Sequence, residues 1–181
     1  FKPLTEAQLK GLPQGSIELL KQYGQQRELG QAVATLDFPS YIAIMTYAED
    51  RDVREALYKA YTTRASDQSE QTQFDNTQVM EEILQLRQAM ATLLGFNNYA
   101  ELSLASKMAP NVETVDQFLI ELAEHARAPA EKEIAELKAT AAQDGITELQ
   151  PWDATYYSEK LKVQQFNLSQ EDLKPYFPAP K

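Results

Sequence analysis

The sequence predicts a mainly α-helical fold, a multi-helix domain with at most one short β-strand or hairpin near residues 33–47. Apolar residues recur at spacings of three and four along most of the chain, which is the period of one helix face. Glycine or proline follows several of these segments, where helices commonly stop. Only residues 32–36 form a short, partly β-branched run that favours a strand.

The first predicted elements lie in the N-terminal part of the chain. Thr5 and Gln8 have the spacing of a capping box, which indicates a short helical turn. A helix is expected over about residues 16–27, followed by a short strand near Val33–Leu36. Residues 41–47 fit either the second strand of a hairpin or a buried helix, because spacing does not distinguish the two in a short apolar run.

The strongest helix pattern lies in the middle of the chain. Asp50 is a suitable N-cap for a helix that begins there, and the polar residues 65–76 indicate a surface loop. A helix is then predicted over about residues 79–94, with Leu86 in the core, and Gly95 follows at the position of a left-handed C-terminal cap. The apolar stripe of this helix consists of Val79, Ile83, Leu86, Met90 and Leu93.

A long apolar stripe follows a short helix that is expected over about residues 98–108. The stripe extends from Val112 to Ala141, and Gly145 closes it. Pro129 lies inside the stripe, where it either kinks one long helix or begins a second one.

Two short helices are expected near the C-terminus, over residues 152–162 and 169–176. Asp153 and Ser169 are their candidate N-caps. No linker or internal repeat divides the sequence, so residues 1–181 are expected to form a single helical segment without an internal domain boundary.

Composition excludes several classes of partner. The chain has 181 residues with 17 Lys and Arg against 27 Asp and Glu, a net charge of -10. This balance argues against nucleic acid and against an anionic membrane surface as partners. No apolar run is long enough to predict a membrane span. Because the sequence begins at Phe1 without Met and ends at Lys181, we expect it to be part of a longer polypeptide.

Catalytic chemistry has few candidates in this sequence. There is no cysteine, and His125 is the only histidine, so a zinc site with two or three histidines cannot form within the chain. Glu121 lies four residues before His125 on the same helix face, but a solvated surface histidine is the favoured interpretation. We therefore predict no catalytic, cofactor-binding or metal-binding residue in this chain.

Two polar and aromatic groups leave alternatives open. Trp152, Tyr156 and Tyr157 are either a wall of a substrate groove or, as we favour, a packing anchor between helices. Arg64 either binds a carboxylate or interacts with the end of a helix. The acidic residues Glu81 and Glu82 are interpreted as a solvated helix face.

Several stretches, in order along nearly the whole chain, resemble the N-terminal, non-catalytic portion of the thimet-oligopeptidase family of zinc metallopeptidases. The most informative are Thr35-Leu36-Asp37-Phe38-Pro39-Ser40-Tyr41, Arg54-Glu55-Ala56-Leu57-Tyr58-Lys59-Ala60-Tyr61, Leu93-Leu94-Gly95-Phe96-Asn97-Asn98-Tyr99-Ala100 and Leu149-Gln150-Pro151-Trp152-Asp153.

The resemblance implies a larger helical clamshell with a deep channel, in which short peptides are hydrolysed in the cytoplasm. The family's zinc is held by a His-Glu-x-x-His motif and a further Glu, and this sequence does not contain that motif. The resemblance therefore implies zinc ligands outside this chain, a chain that is inactive by itself, and a role in the wall of the channel. Self-association of the separated chain is also expected, since its interdomain surface would be bare.

An alternative function is a stand-alone acidic helical module that binds another protein and has no enzymatic activity. A His-Glu-x-x-His motif later in the reading frame would distinguish the two hypotheses.

Overall fold

The computed structural model describes residues 1–168 together with Tyr176 and Phe177. Within this part of the chain there are seven α-helices and one two-stranded antiparallel sheet, so the predicted mainly α-helical fold is confirmed. Apart from its last position, Tyr176, the predicted helix over 169–176 lies outside the described residues. The strands are β1 (Lys2–Pro3) and β2 (Val33–Ala34). The helices are α1 (Gln14–Gln25), α2 (Phe38–Tyr47), α3 (Arg51–Thr62), α4 (Thr77–Leu93), α5 (Tyr99–Leu104), α6 (Val112–Gln143) and α7 (Pro151–Phe166).

Contacts between residues divide the chain into two compact units. Unit 1 combines Phe1–Thr62 with Ala135–Lys181, and unit 2 is Thr63–Ile134. Helix α6 contributes residues to both units, and Pro129 lies inside this one helix without beginning a second. That residues 1–181 form one segment without an internal domain boundary stays a prediction.

The sheet of unit 1 pairs the start of the chain with β2. The strand β2 lies inside the predicted segment, but residues 41–47 are not its partner, because they belong to helix α2. Pro39 lies in the first turn of α2, where its missing N–H costs no helical hydrogen bond. The strand register places Lys2 opposite Ala34 and Pro3 opposite Val33.

The core of unit 1 lies between the sheet and helices α1, α2 and α3, and α7 packs against α2 and α3. Gly24 allows a close backbone approach here, since a Cβ at this position would lie 1.8 Å from the carbonyl oxygen of Gln31. The core side chains are Leu4, Leu9, Leu12, Leu20, Ala32, Ala34, Ala43, Ile44, Ala48, Val53 and Leu57.

Three local signals in the sequence are confirmed by the backbone. The carboxylate of Asp50 accepts a hydrogen bond from the amide of Val53 over 3.0 Å, as an N-cap does. The side chain of Gln8 accepts from the amide of Thr5 over 3.0 Å. Gly95 has φ +85° just after α4, the left-handed conformation that glycine adopts without steric cost.

Unit 2 has almost no interior among its residues, all of which are described. The prediction that Leu86 is a core residue is wrong for this structure, because its side chain is 61% exposed. Ala91 is the only residue of unit 2 whose side chain is buried. The helical spacing identified the apolar face of α4 correctly, but spacing does not show whether another element covers that face. No helix in the described part of the chain is long and apolar enough to cross a bilayer.

Candidate functional site

The first turn of α7 contains a buried carboxylate, Asp153, that the sequence led us to predict as an N-cap. That prediction is wrong, because Gln150 caps α7 and Asp153 is the third residue of the helix. The amide of Gln150 donates to Oδ2 of Asp153 over 3.0 Å, which is the return bond of a capping box. The side chain of Asp153 is 0% exposed, so its charge requires partners within the protein.

Two arginines of α3 supply those partners. Nη2 of Arg51 donates to Oδ2 of Asp153 over 2.7 Å, and its Nε lies 3.1 Å from both carboxylate oxygens. Nη2 of Arg54 donates to Oδ1 over 2.9 Å. Arg54 is only 2% exposed, and it also donates to the carbonyl oxygens of Ala48 and Trp152 over 2.6 and 3.3 Å. The two arginines and Asp153, which we call the ion cluster, join α3 to α7, and the charges of Arg54 and Asp153 are buried.

The electrostatics of the ion cluster favour the ionised carboxylate. Burial acts to raise the pKa of Asp153, but the hydrogen bonds from Arg51 and Arg54 outweigh it, and the pKa is lowered from its ordinary value of 3.8. Asp153 is therefore charged at neutral pH and accepts protons poorly. This arrangement suits a structural anchor and not a general base, which needs a pKa near the working pH.

Aromatic side chains surround the ion cluster. The guanidinium of Arg54 lies 4.3 Å from the ring centroid of Tyr156, within the range of a cation–π contact. The rings of Trp152 and Tyr58 are 6.0 Å apart and tilted, and the ammonium of Lys59 lies 5.5 Å from the indole. These are contacts of a packing anchor between α3 and α7, the interpretation that the sequence favoured for the aromatic group.

A second ion pair lies about two turns further along α7. The ammonium of Lys160 contacts the carboxylate of Asp144, and both side chains are about one-third exposed. Tyr157 is buried beside this pair. Burial, followed by the negative charge of Asp144, raises the pKa of Tyr157 to about 12.

Unit 1 also carries an open groove of about 830 Å³ between α1, α2, α7 and the last turns of α6. Its floor is apolar, with Leu19, Ile42 and Leu137 among the lining side chains. Hydroxyl groups line its polar part, at Ser16, Thr46, Thr155 and Ser158. The only carboxylate in the lining is that of Glu159, which is paired with Lys162 over 2.5 Å. The groove can hold apolar groups against its aliphatic side chains and can hydrogen-bond to polar groups through its hydroxyls, but its lining contains no nucleophile paired with a base.

The histidine identified in the sequence does not form a site with its neighbour. Nδ1 of His125 lies 2.6 Å from the backbone oxygen of Glu121, while the Glu121 carboxylate accepts from Gln117 over 2.8 Å. His125 and Glu121 are both exposed. Within the described residues, no three His, Asp or Glu side chains form a group that could hold a metal ion. The described residues therefore do not provide the three protein ligands that a catalytic zinc needs.

Comparison with known proteins assigns the family. The family model described as "Peptidase family M3" matches residues 44–181. This range includes helices α3 to α7 and the whole ion cluster. The chain belongs to peptidase family M3. This confirms the resemblance that the sequence stretches indicated.

Individual relatives of this M3 chain match almost all of it. Oligopeptidase A of Escherichia coli (strain K12) is 50% identical over 178 residues, which are 97% of this chain and 26% of the relative. A protein of Arabidopsis thaliana named probable cytosolic oligopeptidase A is 38% identical over 184 residues, which cover 96% of this chain and 26% of the relative. Dipeptidyl carboxypeptidase of Escherichia coli (strain K12) is 32% identical over 174 residues, which cover 94% of this chain and 25% of the relative. The M3 chain thus spans about a quarter of the length of the relatives that it matches.

Sequence reasoning missed both the ion cluster and the groove. Asp153 lies about a hundred positions from Arg51 and Arg54, and the groove draws on four helices. The only local signal was the proximity of Asp153 to Trp152 at the start of a predicted helix, and this signal also suits a cap.

Proposed function

We propose that this chain is the non-catalytic helical portion of a zinc metallo-oligopeptidase that hydrolyses short peptides. The observation that carries the proposal is the match of 97% of the chain, at 50% identity, to a protein named oligopeptidase A, of which it covers only 26%. Because the described residues offer no set of metal ligands, the zinc and its ligands belong to the remainder of the full-length protein. The 181-residue chain by itself is inactive in this proposal.

In the full-length enzyme this portion forms part of the wall of the substrate channel. A wall requires helices that keep their positions, and the ion cluster supports this by joining α3 to α7 through buried charges. The groove in unit 1 supports it as well, since an apolar floor with hydrogen-bonding groups is typical of surfaces that bind ligands. A closed wall restricts substrates to short or unfolded peptides and keeps bulk water from the reaction.

Partners and location follow from charge and from the relatives. Short peptides are the substrates, and the net charge of -10 disfavours nucleic acid and anionic membranes as partners. The cytoplasm is the proposed location, supported by the word "cytosolic" in the name of the Arabidopsis thaliana relative. The separated chain is expected to self-associate at high concentration, because large apolar side chains of unit 2 are exposed.

A peptidase assay on two proteins tests the proposal. The full-length enzyme should cleave a fluorogenic short peptide, lose this activity to a chelator and regain it with added zinc. The 181-residue chain should neither cleave the peptide nor bind zinc tightly in a calorimetric titration. Chelator-sensitive cleavage by the 181-residue chain would place the catalytic centre inside it. If the chelator does not reduce cleavage by the full-length enzyme, the assignment as a zinc peptidase is wrong.

A single substitution controls for the one imidazole of the chain. His125→Ala in the full-length enzyme should leave kcat and zinc content unchanged, because His125 is exposed and its ring contacts only the Glu121 backbone among the described contacts. Loss of zinc in this variant would show that the chain does supply a ligand.

The wall role needs a test that does not depend on zinc. A non-cleavable short peptide with a photoreactive group should crosslink to residues 1–181 of the full-length enzyme, and an excess of substrate should suppress the crosslinks. Crosslinks confined to the remainder of the protein would exclude this portion from the channel wall.

A further inference from the structure

Unit 2 does not have an interior that could stabilise it alone. All residues of Thr63–Ile134 are described, and only Ala91 among them is buried. Most helical stability in proteins comes from tertiary packing of an apolar face, and buried contacts must offset the conformational entropy lost on ordering. Unit 2 therefore needs a covering surface that its own residues do not supply.

Two apolar stripes mark where that surface docks. The α4 stripe is the predicted stripe from Val79 to Leu93, whose five apolar members are 41% to 86% exposed. The α6 stripe consists of Phe118, Leu119 and Leu122 in the part of α6 that belongs to unit 2, and each of them is at least half exposed. Apolar side chains at helical spacing are typical of a face that packs against another element.

Resting on the proposed function, we propose that both stripes are internal surface in the full-length enzyme. They are covered by the remainder of the same polypeptide and face away from the substrate channel. Relatives that match nearly the whole chain are about four times as long, since it spans 26% of their length, so each contains enough further polypeptide to cover both stripes. All of unit 2 lies inside the part that matches peptidase family M3.

Two other occupants are disfavoured on physical grounds. A peptide substrate stabilises only the fraction of molecules to which it is bound, so it cannot supply a permanent interior between turnovers. A second copy has to associate from solution, whereas a segment of the same chain meets the stripes at an effective concentration of roughly millimolar or above. The same polypeptide is therefore the favoured cover.

Site-specific cysteine labelling of the full-length enzyme tests the assignment. Leu86→Cys and Leu122→Cys place a thiol in each stripe, while Glu81→Cys and Glu124→Cys place one on the opposite side of the same helices. Each variant is treated with a maleimide at micromolar protein concentration, in buffer and in urea. Peptide mass spectrometry then gives the labelling rate at each site, and natural cysteines of the full-length protein are resolved separately.

The expected result is a difference between the faces. In buffer, the stripe cysteines should be labelled at least about tenfold more slowly than the control cysteines, which corresponds to about 1.4 kcal/mol of opening free energy. In urea, all four should react at similar rates, which excludes an intrinsic difference in the thiols. Slow labelling that persists on dilution supports the intramolecular cover.

Three results would overturn the assignment. Rapid labelling of both stripes in buffer would show that they are exposed in the full-length enzyme. Protection that disappears on dilution would indicate a second copy, and protection that appears only with a non-cleavable peptide would indicate the substrate channel. None of these readings uses catalytic activity, so a failure here is distinguishable from a failure of the proposed function.

Discussion

Replacing Asp153 by Asn should destabilise the chain by about 3 kcal/mol, the lower end of the cost of breaking a buried ion pair. The substitution removes the charge that neutralises Arg54, a side chain only 2% exposed. Arg54 keeps its hydrogen bonds to the carbonyl oxygens of Ala48 and Trp152, which moderates the loss. Arg51 is 36% exposed in its side chain and can turn to water, so it adds little.

The assay uses the single tryptophan of the chain. Trp152 is next to Asp153 and beside Tyr58, so its fluorescence reports on the unfolding of unit 1. Urea is the suitable denaturant, because guanidinium salt screens the charges under test. Asp144→Asn is the matched control: the same substitution in the partly exposed pair with Lys160 should cost at most about 1 kcal/mol. If the two variants lose equal stability, the ion cluster is not the anchor that its geometry indicates.

The effect of Asp153 should also depend on pH in a defined direction. Its pKa is lowered in the folded chain, so its contribution is fully present above the ordinary value of 3.8 and is lost as the pH falls through the lower folded value. The gap between the parent protein and Asp153→Asn should therefore be constant between pH 5 and 7 and shrink in more acidic buffer. A gap that grows on acidification would contradict the sign of the shift.

Two further predictions use the same fluorescence and titration measurements. Gly24→Ala should cost about 3 kcal/mol, the upper end of the usual cost of overpacking, because its Cβ would lie 1.8 Å from the backbone oxygen of Gln31. Gly30→Ala introduces a Cβ into open space and should change stability by at most about 0.5 kcal/mol. Equal urea midpoints for the two variants would contradict this prediction. Tyr157 should ionise near pH 12, as seen by comparing ultraviolet titrations of the parent protein and Tyr157→Phe. The stabilising effect of the neutral Tyr157 is present below pH 10 and is lost as the pH rises toward 12. Asp144→Asn should lower the pKa of Tyr157 only partly, since burial is the larger cause of its shift.

The sequence by itself determined most of the helical elements, though not α2. Residues 79–94 and the segment after Asp50 were predicted within a few residues, because caps and apolar spacing act over a single helix turn. The left-handed conformation of Gly95 was predictable for the same reason, since it depends on the end of one helix. These features need no information from distant parts of the chain.

Residues 41–47 show where local information becomes insufficient. Their spacing allowed a strand or a helix, and the contacts of α2 with the core of unit 1 decided for the helix. The N-terminal residues Lys2 and Pro3, and not residues 41–47, form the strand that pairs with β2. The choice depended on a pairing about thirty positions away, which no local pattern contains.

Only the tertiary structure decided the environments of Leu86 and Asp153. Both positions were predicted from patterns within one helix, a stripe for Leu86 and a cap for Asp153. Whether a side chain is buried depends on which elements pack against it, and those elements can be distant in sequence. Asp153 is buried against Arg51 and Arg54 of α3. Among the described residues, no element buries Leu86. The period of a helix thus specifies its apolar face, but the free energy of burying that face is determined by the partner across it.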